Sequence, residues 1–382
     1  MWKLTNIINK SKLGIMFSNK PFDRRKFLRI SLMGMGSLAF GAARGAKAAA
    51  PLSAVEWQTL PAEQKLGRVC AGFEGAHFDL LARPDYESRK VGVVYRDEVV
   101  VWLREVVASN LNLDWINQGW VETPNGYLYA PYVQPVRNLS NQALEAFPAY
   151  SQEAGMWVEV TVPSVDFQVE GKMSSPWLNP TWTPIPRLYY SQIMWVDLIK
   201  KDEKGQVWYR LREKFGSYGD LFLAPAEAFK PITPEDIAPI HPDAEDKKVV
   251  VRLFYQTLSC FEGQQEVYFC RVSTGGGTST PLGSIPTWRK MISTHMSGGT
   301  TGAGFDTPGI GWTNLFSSDG AAIHSTFWHN DFGNKKSHGC VNALPEDAHW
   351  IFRWTSPAVN YNPGDVVVQG MNVSTRIHVV DA

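Results

Sequence analysis

Residues Ala322 to Trp354 read AIHSTFWHNDFGNKKSHGCVNALPEDAHWIFRW, and the rest of the chain can be placed around them. Cys340 has His338 two residues before it and His324 sixteen before it, with His329 and His349 nearby. Ser337-His338-Gly339-Cys340 lies where a run of turn-forming residues meets a helix start. Pro345, Glu346 and Asp347 suit a first helical turn: the missing proline N–H costs nothing there, and the helix dipole favours anions. Trp350, Ile351, Phe352 and Trp354 carry the apolar face forward.

A thiol is a weak nucleophile until deprotonated, and a nearby imidazole with electropositive backbone achieves this. Gly339 permits close backbone approach and unusual dihedrals just before Cys340. Such a turn aims consecutive N–H groups at one point, the arrangement that holds the oxyanion of a tetrahedral intermediate. His338 meets the thiol only if the turn folds back, whereas His324, on a strand sixteen residues away, can lie opposite it. The stretch therefore reads as an acyl-transfer site with Cys340 as nucleophile and His324 as base. Zinc is the rival reading, but the spacing H-x4-H-x8-H-x-C fits no usual structural site and no second cysteine is near. His329 and His349 read as structural, and no metal or cofactor is expected.

Working outward, Val249–Ser259 and Glu266–Ser273 predict a hairpin, and Asp365–Gln369 and Arg376–Val380 predict closing strands. Two glycine-rich tracts, Thr274–Gly283 and Ser297–Gly304, lie between them. The first is no phosphate loop, since no Lys-Ser/Thr and no helix follows. The second suits a mobile lid or hairpin tip.

Ile323-His324-Ser325 followed by Ser337-His338-Gly339-Cys340-Val341-Asn342 resembles the L,D-transpeptidase (YkuD-type) signature, as do Val272-Ser273-Thr274-Gly275 and Thr280-Pro281-Leu282-Gly283. The resemblance covers residues 247–382. It implies a mainly β, sandwich-like catalytic domain with one short helix after the nucleophile and a lid hairpin, at Gly298–Gly304, over a groove. It implies that the cysteine attacks the third residue of a peptidoglycan tetrapeptide stem, expels D-Ala and passes the acyl group to another stem's amine, a 3→3 cross-link. Carbapenems are expected to inhibit such an enzyme. Carried over by residue, Cys340 is the nucleophile, His324 the base, and the Ser325 carbonyl orients the imidazole. The N–H groups around His338, Gly339 and Cys340 form the oxyanion hole. Ser337, Asn342, Met296 and Trp312 are the expected substrate contacts. Many members have Arg where this chain has Asn342, which bears on how a substrate carboxylate is held. An L,D-carboxypeptidase of the same fold, with water as acceptor, is the alternative within the class.

Upstream, short strands at 92–95, 99–103, 119–123 and 127–130, with a Pro124-Asn125-Gly126 turn, argue for a small β-barrel over 64–138. A second unit spans 152–232, with strands at 157–162, 188–197 and 207–210. Gln118–Val136 and Val207–Ile232 form a weak internal repeat, and both units resemble bacterial SH3-like modules. That resemblance implies either contact with cell-wall material or a spacer. Residues 49–63 read as a linker, and 233–246, overlapping the proline-rich Pro231–Pro242 stretch, as a second one, extended and semi-rigid. A non-catalytic cell-wall-binding protein is the alternative from another class.

Residues 1–48 hold ten Lys/Arg and one acidic residue, Asp23. The remainder carries 27 basic against 36 acidic residues, net −9, a poor match for nucleic acid. Asp23-Arg24-Arg25-Lys26-Phe27-Leu28-Arg29, an apolar Ile30–Ala43 run and Ala46-Lys47-Ala48 resemble a twin-arginine (Tat) export signal, with Met16 an alternative start. The run is too short to span a bilayer. An extracytoplasmic location, in periplasm or cell wall, is expected. Cys70, Cys260 and Cys270 read as buried free thiols; a tight turn at 262–265 would set Cys260 opposite Val267 rather than Cys270.

Overall fold

Short runs of Val, Tyr, Trp and Phe alternate with turns and pair as β-strands. The computed structural model describes residues 56–72, 75–112, 115–179, 185–276, 279–298, 305–370 and 373–381. The expected export signal, the first part of the expected 49–63 linker and residues 299–304 of the expected lid lie outside the described residues. From Ser53 onward the chain makes one unit, and no described helix is long and apolar enough to cross a membrane.

The first module holds β1 (Leu66–Val69), β2 (His77–Leu81), β3 (Lys90–Tyr95), β4 (Val99–Val101), β5 (Arg104–Val107), β6 (Gly119–Thr123), β7 (Gly126–Tyr129) and β8 (Val133–Val136). They pair in the orders β4-β1-β8 and β3-β2-β7-β6-β5. The second holds β9 (Met156–Val160), β10 (Ser164–Asp166), β11 (Gln168–Glu170), β12 (Arg187–Tyr189), β13 (Ile193–Lys201), β14 (Val207–Arg212), β15 (Leu221–Pro225) and β16 (Phe229–Pro231). Here the orders are β11-β15-β14-β13-β9-β16 and β10-β12. The internal repeat has a structural counterpart. In each module a hairpin, β6–β7 or β14–β15, runs into one 3-10 turn, Ala130–Tyr132 or Ala226–Ala228. A closing strand then pairs antiparallel with that module's first strand. The run 188–197 is two strands rather than one. Ser191 takes a left-handed backbone (φ 73°) and the Tyr189 N–H donates to Gln192 Oε1 at 2.6 Å, so the chain reverses there.

The C-terminal part holds β17 (Lys247–Arg252), β18 (Thr257–Glu262), β19 (Gln265–Arg271), β20 (Gly283–Pro286), β21 (Arg289–Gly298), β22 (Phe305–Leu315), β23 (Ala322–Ser325), β24 (Val341–Ala343), α1 (Pro345–Trp354), β25 (Asp365–Val367) and β26 (Arg376–Val380). Two five-stranded sheets, β19-β18-β17-β26-β20 and β24-β23-β22-β21-β25, bury Val249, Val251, Ile292, Ile323, Val341 and Ile377 in a core shared with Ile351 and Phe352 of α1. This is the expected mainly β fold with one helix after Cys340.

Two details of the 249–273 hairpin differ from expectation. The 249–259 run breaks at Gln256 (φ 53°), leaving Phe254 and Tyr255 exposed at a turn. Cys260 faces Tyr268, not Val267, because the register shifts by one residue after Cys260. All four cysteines are free thiols. The proline-rich segment is also no free linker. Ile232 and Ile237 are apolar and bury in the C-terminal core beside Trp157 and Trp195 of the second module. Arg353 of α1 donates to the Ala238 carbonyl at 2.8 Å. Burial of each large apolar side chain contributes roughly 2–3 kcal/mol, so the strap is held.

Lys290 on β21 is fully buried. Its Nζ donates to the carbonyls of Phe352 (2.7 Å), Thr355 (2.6 Å) and Pro357 (2.8 Å), at the negative end of α1. Burial, and then the charge of Lys247, pull its pKa well below the ordinary lysine value. Lys290→Met keeps apolar volume but strands these acceptors, each costing about 1–3 kcal/mol when buried. Urea unfolding is expected to show a loss of roughly 3 kcal/mol. Lys201→Met, at the exposed end of β13, is expected to change stability by less than about 0.5 kcal/mol.

Candidate active site

β23 and β24 run parallel, with Ile323 opposite Val341 and His324 opposite Asn342, so Cys340 enters the sheet beside Ala322. The turn before it is closed by one hydroxyl. Ser337 Oγ donates to the Cys340 carbonyl (2.6 Å) and accepts the Gly339 N–H (3.1 Å). Gly339 has φ 144°, and a Cβ there would stand 3.1 Å from the Ser279 carbonyl oxygen. A Cβ on Gly275 would lie 2.9 Å from the Gly339 backbone, so both positions need glycine for close approach. The segment after β19 braces the turn. Thr274 O accepts the N–H groups of Lys336 (2.9 Å) and Ser337 (3.1 Å), and Ser273 and Asn342 exchange N–H···O bonds at 2.9 Å.

His324 is buried at 2% exposure. Its Nδ1–H donates to the Ser325 carbonyl at 2.9 Å, which leaves Nε2 as the acceptor. Burial pulls the imidazole down to about 4, against the opposing pull of that carbonyl. Burial raises the Cys340 thiol, opposed by the Ala322 N–H. The thiol donates to the Gly320 carbonyl, with Sγ 3.7 Å from the oxygen. The resting pair is thus a neutral thiol and a neutral imidazole. Among the described residues, the N–H of Gly339 is taken by Ser337, while those of His338 and Cys340 meet no acceptor.

Cys340, His324, His338, Ser337, Asn342 and Met296 line one groove of about 470 Å³. Ser337 serves chiefly to close the turn. Trp312 does not belong to the groove. It takes a left-handed backbone (φ 57°), is 2% exposed, and stacks on His349 of α1 at 4.1 Å. Phe305, which the sequence reading missed, lines the groove and stacks on the His338 ring at 5.3 Å. Its position directly after the glycine tract was the available signal.

His329 was read as structural, and it supports Asn342. Its Nδ1 accepts the Asp331 N–H (3.2 Å), so a neutral ring carries its proton on Nε2. Burial first, then Lys336, depress its pKa to about 3, which keeps the ring neutral. Nε2 lies 2.9 Å from the Asn342 amide, whose Oδ1 is otherwise buried without a partner. Turning that amide over makes Oδ1 the acceptor of the Nε2–H bond. The amide N–H2 then faces the site that Oδ1 had occupied, as a donor beside the groove.

Residues 246–375 match the family model of the L,D-transpeptidase (YkuD) catalytic domain. This L,D-transpeptidase domain belongs to a family of acyltransferases, and it occupies about a third of the chain. Among solved structures, that of an Enterococcus faecium L,D-transpeptidase mutant is 21% identical, covering 37% of this chain and 52% of that one, with TM-score 0.28. An L,D-transpeptidase from Mycobacterium smegmatis is 15% identical over 48% of this chain and 98% of that one, TM-score 0.30. One solved in complex with imipenem is 16% identical over 48% and 82%, TM-score 0.29. The chain spans about half the length of the Enterococcus faecium structure. No curated protein matches it.

His324→Ala is expected to slow acylation of the thiol about 10²–10⁴-fold, the usual contribution of a general base. His329→Ala, which loses the support of Asn342 and the Asp331 N–H bond but leaves His324 in place, is expected to slow it less than about tenfold. Stopped-flow acylation by a carbapenem measures both. With His324 neutral above about 4, the unaltered protein's rate should stay level from mildly acidic to neutral pH and fall as pH drops through about 4. The folded state of each buried histidine binds fewer protons than the unfolded one, so stability also falls as pH drops below the ordinary histidine value toward those depressed values. Thermal melts at each pH separate the two effects.

Proposed function

We propose that the protein is a peptidoglycan L,D-transpeptidase that works outside the cytoplasmic membrane, delivered there by the twin-arginine signal. The observation that carries this reading is one groove holding a thiol, an imidazole whose free Nε2 can take its proton, and uncommitted N–H groups at the nucleophile turn. Cys340 Sγ bonds to the carbonyl carbon of the third stem residue as its proton passes to His324 Nε2. The N–H groups at His338 and Cys340 hold the oxyanion. As the tetrahedral intermediate collapses, the C–N bond to D-Ala breaks and the imidazolium returns the proton to the leaving amine. A side-chain amine of a second stem then attacks the thioester and loses its proton to His324. The new C–N bond forms, the C–S bond breaks, and the proton returns to the thiolate. Asn342, with its amide N–H2 beside the groove, is the proposed donor to the stem's carboxylate or carbonyl. The units at 64–138 and 152–232 are proposed as SH3-like modules that hold the groove near the wall.

Mass spectrometry of the purified chain with a carbapenem is expected to show one covalent adduct. Cys340→Ala should lose it completely, and an adduct on that variant would remove the thiol from its assigned role. Incubation with tetrapeptide muropeptides should give cross-linked dimers and free D-Ala. Tripeptides without dimers would establish the carboxypeptidase reading instead. Sacculus binding with neither product would support the non-catalytic wall-binding reading.

A further inference from the structure

Strands β21 and β22 form one side of the groove through Met296 and Ser297 on one strand and Phe305 and Thr307 on the other. Next to these residues stand His295 and Asp306, which do not line the groove; His295 bridges Asp306 and Glu213, the latter just after β14 of the second module. His295 Nδ1 lies 2.9 Å from both carboxylate oxygens of Glu213, and Nε2 is hydrogen bonded to Asp306 Oδ1. The side chains of His295, Glu213 and Asp306 are 1%, 5% and 19% exposed. Burial raises the Glu213 pKa, opposed by the hydrogen bond and charge of His295; with both carboxylates ionised they only accept, so both ring nitrogens donate, and only an imidazolium donates from both.

The same hairpin is tied to the second module at further points. The Phe215 carbonyl accepts the His295 N–H at 3.1 Å. Asp306 Oδ2 accepts the Trp177 N–H at 3.1 Å. Gln192 Nε2 donates to the Pro308 carbonyl at 2.7 Å, and Ser293 Oγ to the Ile193 carbonyl at 2.6 Å. Both strands of the hairpin are therefore fastened to residues 177–215, and the charged cluster is the fastening that reaches the groove-lining end.

We infer that His295 is a positioning residue: clamped between Glu213 and Asp306, its imidazolium fixes the β21–β22 hairpin on the second module so that Met296 and Phe305 hold the donor stem over Cys340. The donor's identity in this inference rests on the proposed function, whereas the clamp does not. It gives the second module a part in forming the groove.

The titratable groups facing the ring are Glu213, Asp306 and Tyr218, whose ring stands edge-on at 5.3 Å. Burial alone would lower the pKa of His295. The hydrogen bond and charge of Glu213, then those of Asp306, more than offset it and hold the value above that of an ordinary histidine. With a raised folded value, the clamp's contribution is complete below the ordinary histidine pKa and is lost as pH rises through the raised one. The hairpin should loosen on the alkaline side.

Nitrogen NMR of the full chain at neutral pH is expected to show both His295 ring nitrogens protonated, and a neutral ring overturns the inference. Glu213→Gln and Asp306→Asn alter one partner each while keeping its size. Hydrogen exchange across 294–298 and 305–309, corrected for intrinsic rates, should accelerate tenfold or more in both variants and in the unaltered chain at alkaline pH, with β17 unchanged. Equal protection in all forms overturns the clamp. In carbapenem acylation the half-saturating concentration should rise about tenfold while the limiting rate stays within threefold. A fall in the limiting rate alone overturns the positioning role. Exchange reports on the clamp even if no acyl-enzyme forms, and absence of acylation in the unaltered chain counts against the proposed function only.

Discussion

The guanidinium of Arg68 lies where three parts of the chain meet. Arg68, on β1 of the first module, is 1% exposed. It reaches Asp97 Oδ1 at 2.7 Å and Gln134 Oε1 at 2.8 Å, stacks on the Tyr189 ring of the second module at 4.2 Å, and donates to the Phe327 carbonyl. Burying an ion is unfavourable by several kcal/mol unless its donors are met, and here a carboxylate, an amide and a carbonyl meet them. Phe327 follows the proposed base by three residues, and the next residue, Trp328, packs against the imidazole with ring centroids 5.8 Å apart. A second tie runs from Asn117 of the first module to Asp331 at 2.6 Å, which also receives Asn334 and Lys336. The connection between His324 and Cys340 is therefore held by residues more than two hundred positions upstream.

That arrangement explains what could and could not be read from the sequence. His324, the Ser337–Cys340 turn and α1 are local features, written in residue types whose spacing carries their geometry, and the structure brings them to one groove or its edge. The hairpin turn at Pro124-Asn125 and the closing strand Arg376–Val380 are legible for the same reason. The failures are places where a backbone reversal or a distant partner decides. Ser191, Gln256 and Trp312 all adopt left-handed backbone, which apolar runs around them conceal. Trp312, an expected substrate contact, packs under α1 instead. The proline-rich strap looked free because nothing in its own sequence shows that α1 covers it. His295 sits in a strand of ordinary composition and gains meaning from Asp306 across the hairpin and from Glu213, eighty-two residues away.

The site also shows how burial can serve the proposed chemistry without a preformed ion pair. Both the thiol and the imidazole are disfavoured as ions, and the turn around Gly339 is hydrogen bonded by Ser337 and Thr274 and lies close against Ser279. Charge would then appear only as the reaction proceeds, against N–H groups already in place.

The position of β26 sets the order of events during synthesis. It lies between β17 and β20, pairing in parallel with the first and antiparallel with the second. Strands β17 to β19 can form a meander as soon as they leave the ribosome, but β20 has no partner in that sheet until residues 376–380 emerge. The sheet opposite the groove strands is thus completed by β26, and the catalytic half must reach its final packing after elongation has passed every residue of the site.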